Sequence, residues 1–165
     1  MDFSVEQTYA AAPDAVARAY ATAELYARLD GLGKLGGPEV LDRQVDGSVV
    51  RLAVRYRFVG HLAPAVTAVL DPARLTWIEH TTHDLAERTV TFRLVPDHYR
   101  DRLTSEARGA VLPGRRSGSV RSITGTLKVR ALLVASTVER AIVSGLREHL
   151  LAEAPVVDRT ILEGG

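Results

Sequence analysis

Hydrophobic and polar positions alternate from the first residues of the chain. Phe3, Val5, Gln7 and Tyr9 fall on one side, with Asp2, Ser4, Glu6 and Thr8 on the other. That rhythm predicts a strand with a covered face. At Ala11-Ala12-Pro13-Asp14 the pattern changes. Proline suits a first helical turn, an acid there meets the positive end of the backbone dipole, and Ala15, Val16, Ala19 and Tyr20 follow at helical spacing. A second short helix is expected from Ala23 to Leu29, closing at Asp30-Gly31, followed by a glycine-rich loop from Gly31 to Pro38. The chain becomes extended from Val40 and turns at Asp46-Gly47, a strong hairpin signal. The returning strand sets Val50, Leu52, Val54, Tyr56 and Phe58 against Arg51, Arg55 and Arg57, so one face is packed and the other wet.

Pro64 to Leu70 reads as a short helix begun by proline, with a weak strand as the alternative, and Asp71-Pro72 starts a turn. Extended stretches follow at Leu75–His83, Arg88–Val95, Arg102–Leu112 and, beyond a Pro/Gly/Ser loop, Val120–Arg130. The last feature is a helix from Leu132 to Glu153, with an apolar stripe of Leu132, Ala135, Val138, Ile142, Leu146 and Leu150. Glu139, Arg140, Arg147 and Glu148 lie off that stripe, and Pro155 is expected to end or kink the helix. A sheet with one apolar face needs a cover, and the final helix carries the one stripe long enough to supply it. The reading is an α+β chain: a curved antiparallel sheet of about six to seven strands around a long C-terminal helix, with two short helices after the first strand. No internal repeat or second domain boundary is visible, so residues 1–165 are read as a single domain, with its core in 1–153 and an extension in 154–165.

This element order, with the strand Phe3 to Tyr9, the Ala11-Ala12-Pro13-Asp14-Ala15-Val16 start of the first helix and the closing helix, resembles the START-like superfamily. That group is also called SRPBCC or helix-grip, and the chain looks closest to an uncharacterised bacterial branch of it. The resemblance covers nearly the whole chain. It implies the helix-grip fold and a habit of enclosing hydrophobic ligands. It carries over no catalytic residue, because no catalytic motif of the superfamily can be matched here, and fold alone does not specify chemistry.

Charge and composition narrow the picture. With 21 basic and 20 acidic residues the net charge is +1, without the basic stripe of a nucleic-acid binder. The absence of cysteine removes disulfides, thiolate nucleophiles and cysteine-based zinc sites. The N-terminal acids do not fit a signal peptide, and no segment approaches the ~20 apolar residues of a membrane span. The expectation is a cytoplasmic protein with no integral membrane segment; the oligomeric state is not legible.

Several motifs invite a chemical reading. Gly31-Leu32-Gly33-Lys34-Leu35-Gly36 spells the dinucleotide fingerprint, but a helix precedes it and a strand follows, the reverse of the geometry that binds pyrophosphate. A loop with room to turn fits better, and the resemblance to START-like folds implies a gating loop over a pocket near this point. His80 and His83 have metal-like spacing, yet on a strand they point to opposite faces, and no metal or other cofactor is expected. Glu79 shares the parity of Leu75, Trp77 and Thr81. If that row faces a cavity, its carboxyl pKa rises and it can act as an acid or a ligand anchor; if it faces water, it is ordinary. No Gly-x-Ser-x-Gly elbow marks a nucleophile.

The row Leu103, Ser105, Ala107, Gly109 and Val111 narrows to small side chains, and Ile123, Gly125, Leu127 and Val129 beside it also contain a glycine. Such residues either let a helix approach or leave a void. The expected cavity liners are Tyr56, Trp77, Glu79, Phe92, Tyr99, Ala107, Gly109, Leu127, Val138, Ile142 and Leu146. The leading functional expectation is non-catalytic binding or transport of an apolar small molecule, such as a lipid, isoprenoid or polyketide-like compound. The alternatives are a cyclase or dehydratase using a cavity-facing acid or base (Glu79, His80 or Tyr56), and a filled scaffold acting through the arginine face.

Overall fold

A computed structural model describes residues 1–32, 34–61, 64–67, 71–130 and 135–164. In chain order the elements are β1 (Asp2–Tyr9), α1 (Pro13–Tyr20), α2 (Ala23–Ala27), β2 (Leu35–Asp46), β3 (Val49–Phe58), α3 (Pro64–Thr67), a 3-10 turn (Pro72–Arg74), β4 (Thr76–Asp84), β5 (Thr89–Pro96), β6 (Leu103–Pro113), β7 (Ser119–Val129) and α4 (Ala135–Glu163). The strands form one seven-stranded sheet in the order β1-β7-β6-β5-β4-β3-β2, antiparallel throughout. The helix α4 packs on β1, β7 and α1. This is the curved sheet closed by a long helix that the pattern predicts.

Alternation becomes burial along the strands. In β1 every second residue, from Phe3 to Tyr9, is buried. In β3 the row Val50, Leu52, Val54 and Tyr56 is buried while Arg51, Arg55 and Arg57 are exposed. The Asp46–Val49 pair closes the first hairpin, with Gly47 at φ 57° supplying the left-handed turn residue. At the start of α1, Pro13 occupies the first turn and Val16, Ala17, Ala19 and Tyr20 form the buried side. Two apolar clusters result. One joins α1 and α2 to β3 and to Ala154 and Val157 of α4; the other joins β1 and β7 to Val138 and Leu150 of α4.

Some boundaries differ from the expected ones, and others fall outside the described residues. The strand β2 starts at Leu35, not Val40, because Leu35 pairs with Phe58 and register shifts at Gly36/Glu39 and Val40/Asp42 absorb the irregular stretch. Gly37 sits there at φ 57° and a Cβ on Gly36 would lie 2.8 Å from Val59 Cγ1, so the glycines that resemble loop residues allow a bulged strand. At α3, helix is present over Pro64–Thr67, while the rest of the expected Pro64–Leu70 segment lies outside the described residues, as does the expected helix start at Leu132.

The helix α4 continues through Pro155 to Glu163. Pro155 is on the solvent side, so the carbonyl it leaves without an amide partner can meet water. Beyond it, Val157 is fully buried. Asp158 accepts from the amides of Ala10 and Ala11 at 2.9 and 3.1 Å. These attachments hold the last two turns to the body of the protein against the helix-breaking tendency of proline. Among the described residues no helix is long and apolar enough to cross a membrane.

Candidate functional site

Between the sheet and α4 lies a cavity of about 150 Å³. Its walls are apolar: Phe3, Phe92, Leu94 and Leu127 from the sheet, Ile142 and Leu146 from the helix. Ser105 and Ala107 of β6 keep one wall shallow. Its far end is ionisable, formed by Tyr26, Tyr56, Glu79, Arg121, His149 and Glu153.

The end is held by a connected set of buried polar groups. Arg121 lies on the inward row of β7 with Ile123 and Leu127. Its Nη1 donates to Gln7 Oε1 at 3.0 Å and lies 3.8 Å from Glu153 Oε2, and its guanidinium covers the Tyr20 ring at 3.6 Å. Gln7 Nε2 donates to the Tyr20 hydroxyl at 3.2 Å and to the Leu150 carbonyl. The Tyr20 hydroxyl gives its single proton to Glu153 Oε2 at 3.0 Å, so the 2.9 Å contact with Tyr9 runs from Tyr9 to Tyr20. Arg121, His149 and Glu153 are only 2%, 2% and 4% exposed. Such a charged group is tolerated inside because nearly every polar atom in it has a partner.

His149 is the exception. Its Nδ1 faces the Leu32 carbonyl at 3.1 Å, and since a carbonyl only accepts, Nδ1 carries a proton. Its Nε2 lies 3.0 Å from Glu153 Oε1, at ion-pair distance but out of line for a hydrogen bond. A lone pair on Nε2 would oppose the carboxylate, so this contact favours the charged imidazole. Burial alone would lower the His149 pKa, but Glu153 and the Leu32 carbonyl raise it above its ordinary value.

Glu79 is on the inward row of β4 with Trp77, Thr81 and His83, and it lines the cavity directly. Burial pushes its carboxyl up to about 7, helped by the charge of Glu153 and opposed by Arg121 and His149. Burial also raises the Tyr26 and Tyr56 hydroxyls well above their usual range, with Glu79 adding to both. The Tyr56 ring stacks on Trp77 at 5.9 Å and meets the edge of His149 at 6.2 Å. Tyr26 gives its proton to the Tyr20 carbonyl at 3.2 Å, so the site offers the neutral Tyr56 hydroxyl and a carboxyl that can hold or release a proton near neutrality.

Of the expected liners, Tyr56, Trp77, Glu79, Phe92, Ala107, Leu127, Ile142 and Leu146 surround this cavity. Tyr99, Gly109 and Val138 do not. Tyr99 is in the β5–β6 loop at φ 59°, with Arg74 over its ring at 5.4 Å. Gly109 is covered by Val90 and Ile123, since a Cβ there would be 3.2 Å from each. Val138 is packed into the second apolar cluster. The other glycine in these rows, Gly125, is filled by the Phe3 ring and the Ala107 methyl, at 2.7 and 2.6 Å from a Cβ placed on it. Sheet side chains, not the helix, therefore occupy both glycine positions.

His80 is on the opposite face from His83, whose Nε2 is 3.0 Å from Thr81 Oγ1. Among the described residues no group of metal-ligating side chains is assembled. In the inverted glycine motif Gly33 lies outside the described residues, and Lys34 and Leu35 line the mouth of the cavity. The sequence pattern did not single out Gln7, Arg121, His149 or Glu153. The available signal was a polar residue breaking an apolar row: Gln7 between Val5 and Tyr9, and Arg121 beside Ile123.

A sheet gripping a terminal helix, with an enclosed cavity between them, defines the START-like, helix-grip class. The chain belongs to the family described as protein of unknown function (DUF2505), whose model matches residues 4–161. No curated protein matches the sequence. Among solved structures, the chain is similar to TTHA0849 from Thermus thermophilus, with 16% identity over 100% of this chain and 99% of that one, and a TM-score of 0.70. It is also similar to norcoclaurine synthase from Thalictrum flavum, with 20% identity over 99% of this chain and 87% of that one, and a TM-score of 0.66. That enzyme has been solved in complex with dopamine and hydroxybenzaldehyde. At these identities the likeness speaks for the fold alone.

Proposed function

We propose that the chain binds a compact small molecule with an apolar body and a hydrogen-bonding end, taken up between the sheet and α4. The observation that carries this reading is the cavity of about 150 Å³ whose apolar walls end at Glu79. Its volume matches cavities that hold a single aromatic ring, roughly 150 Å³, rather than the several hundred Å³ common for larger ligands. A one-ring or short branched compound suits it better than a full-length lipid. Norcoclaurine synthase, which shares the fold, has been solved in complex with dopamine and hydroxybenzaldehyde, both one-ring compounds, which supports the size class.

The test is native mass spectrometry of the purified protein, joined to displacement of an apolar fluorescent probe by one-ring phenols and aldehydes. Retention of one ligand per chain, displaced by such compounds, is the expected result. A protein that takes up neither probe nor phenol would end this reading.

A second reading is favoured by the place of Glu79, which lines the cavity from the inward row of β4, where burial pushes its carboxyl up to about 7. A group that exchanges its proton near the working pH is suited to general acid–base catalysis, as in a cyclisation or dehydration of the bound compound. Glu79→Gln should then abolish turnover while ligand retention persists. Equal turnover in the variant would remove Glu79 from that role.

A further inference from the structure

The mouth of the cavity differs in charge from its far end. Lys34, Arg74 and His98 line it together with Phe58, Leu75 and Pro96. Lys34 is balanced by Glu148 at 3.1 Å. Arg74 is not balanced. The nearby carboxylates are engaged elsewhere: Asp71 caps the amide of Ala73 at 3.0 Å, and Asp97 pairs with Arg55 at 3.7 Å. Among the described residues no carboxylate is paired with Arg74.

The position of Arg74 is set by two loops tied together. The Asp71 amide donates to the Tyr99 hydroxyl at 3.2 Å, and the Arg74 guanidinium lies over the Tyr99 ring. Tyr99 holds a left-handed φ of 59°, rare for a bulky residue, which turns the β5–β6 loop toward the 3-10 turn. Arg74 Nη2 lies 3.4 Å from His98 Nδ1. Arginine can only donate, so His98 accepts through Nδ1, and its Nε2 is the donor that remains. The lip therefore presents a guanidinium with no ion-pair partner among the described residues and an imidazole N–H side by side.

We infer that the molecule bound here carries an anionic end group, a carboxylate or a phosphate, held at the lip by Arg74 and His98 while its apolar body enters the cavity. This rests on the binding reading above and names the ligand class for that site. From Thr76 at the mouth to Glu79 at the far end is about 10 Å along β4 at the usual strand rise. That is the reach of a phenol joined to an acid by a two-carbon link.

The experiment is calorimetric titration with 3-(4-hydroxyphenyl)propionate, its methyl ester and 2-(4-hydroxyphenyl)ethyl phosphate, on the full chain and on Arg74→Gln. The acid should bind about fivefold more tightly than the ester, the scale of a charge-assisted pair at a partly solvated site. Arg74→Gln should remove that advantage and leave the ester unchanged. If the phosphate exceeds the acid, the lip is a phosphate site; if it does not, a carboxylate site. An ester equal to the acid, or an acid preference that survives in Arg74→Gln, overturns the inference. Binding of uncharged phenols without any of the three probes overturns it alone, whereas failure of every one-ring compound overturns the binding reading as well.

Discussion

Glu79 shows what a single side chain gains and loses by facing an apolar space. Its carboxyl, ordinarily at 4.5, is raised to about 7 by burial and by Glu153. Between those values the folded chain keeps a proton that the unfolded chain has released, so stability falls as pH rises through that window. The loss is about 3 kcal/mol by linkage. His83 works in the other direction. Burial and Arg121 depress it from 6.5 to about 3, and its contribution is lost as pH falls through that range. The difference between wild type and Glu79→Gln isolates the first effect. Chemical denaturation should give similar midpoints for the two proteins near pH 4.5 and a more stable variant above pH 7. Equal midpoints at both ends would show that Glu79 is not desolvated. The parity of Glu79 with Trp77 and Thr81 was visible in the sequence, but the face it took was not, because Ile78 and His80 offer an equally mixed row. The partners of Glu153 were hidden for a different reason. Tyr20 and Arg121 come from α1 and β7, remote in the chain, and no local spacing records such a meeting; only His149, four residues earlier on α4, stands at a spacing the sequence shows.

At the scale of elements, strand periodicity was legible wherever buried and exposed positions alternated strictly, as in β1 and β3. It failed where a local rule met tertiary attachment. The proline rule ends α4 early, yet Val157 and Asp158 hold the helix beyond it. Asp158 is the sharper test, since its carboxylate takes two amides of the connection between β1 and the first helix. Asp158→Ala should lower global stability by about 1 kcal/mol or somewhat more. The amides of Val156 to Glu163 should exchange with solvent faster than in wild type, read by hydrogen–deuterium exchange, while those of β3 keep their protection. A uniform change across both elements would mean that the last turns do not depend on this attachment. The bulged start of β2 was read as loop for a related reason. Glycine strings carry no hydrophobic pattern, and the pairing with Phe58 and Arg57 that organises them is formed from the other strand.

In the molecule as a whole, the cavity separates two apolar clusters that could otherwise have merged. Gly145 lines it from α4, and a Cβ there would meet only Lys34 Cδ, at 3.7 Å. Gly145→Ala should therefore stabilise the protein by about 0.5–1 kcal/mol through helix propensity, measured by thermal unfolding. Gly145→Leu places a larger side chain at the same point and should keep the fold, read by circular dichroism, while reducing uptake of an apolar probe. Uptake unchanged in a folded Gly145→Leu protein would place the probe elsewhere.

The register shifts in β2 also bear on what the sheet does not do. A border strand with evenly spaced free amides and carbonyls invites a neighbouring molecule to add itself and lengthen the sheet without limit. Here the spacing is broken twice before Asp42, and the regular remainder carries Asp42, Arg43 and Asp46. A stacking chain would find few consecutive bonds to make and charges to bury in making them, so the same irregularity that obscured the strand in the sequence guards the protein against fibre growth from this border.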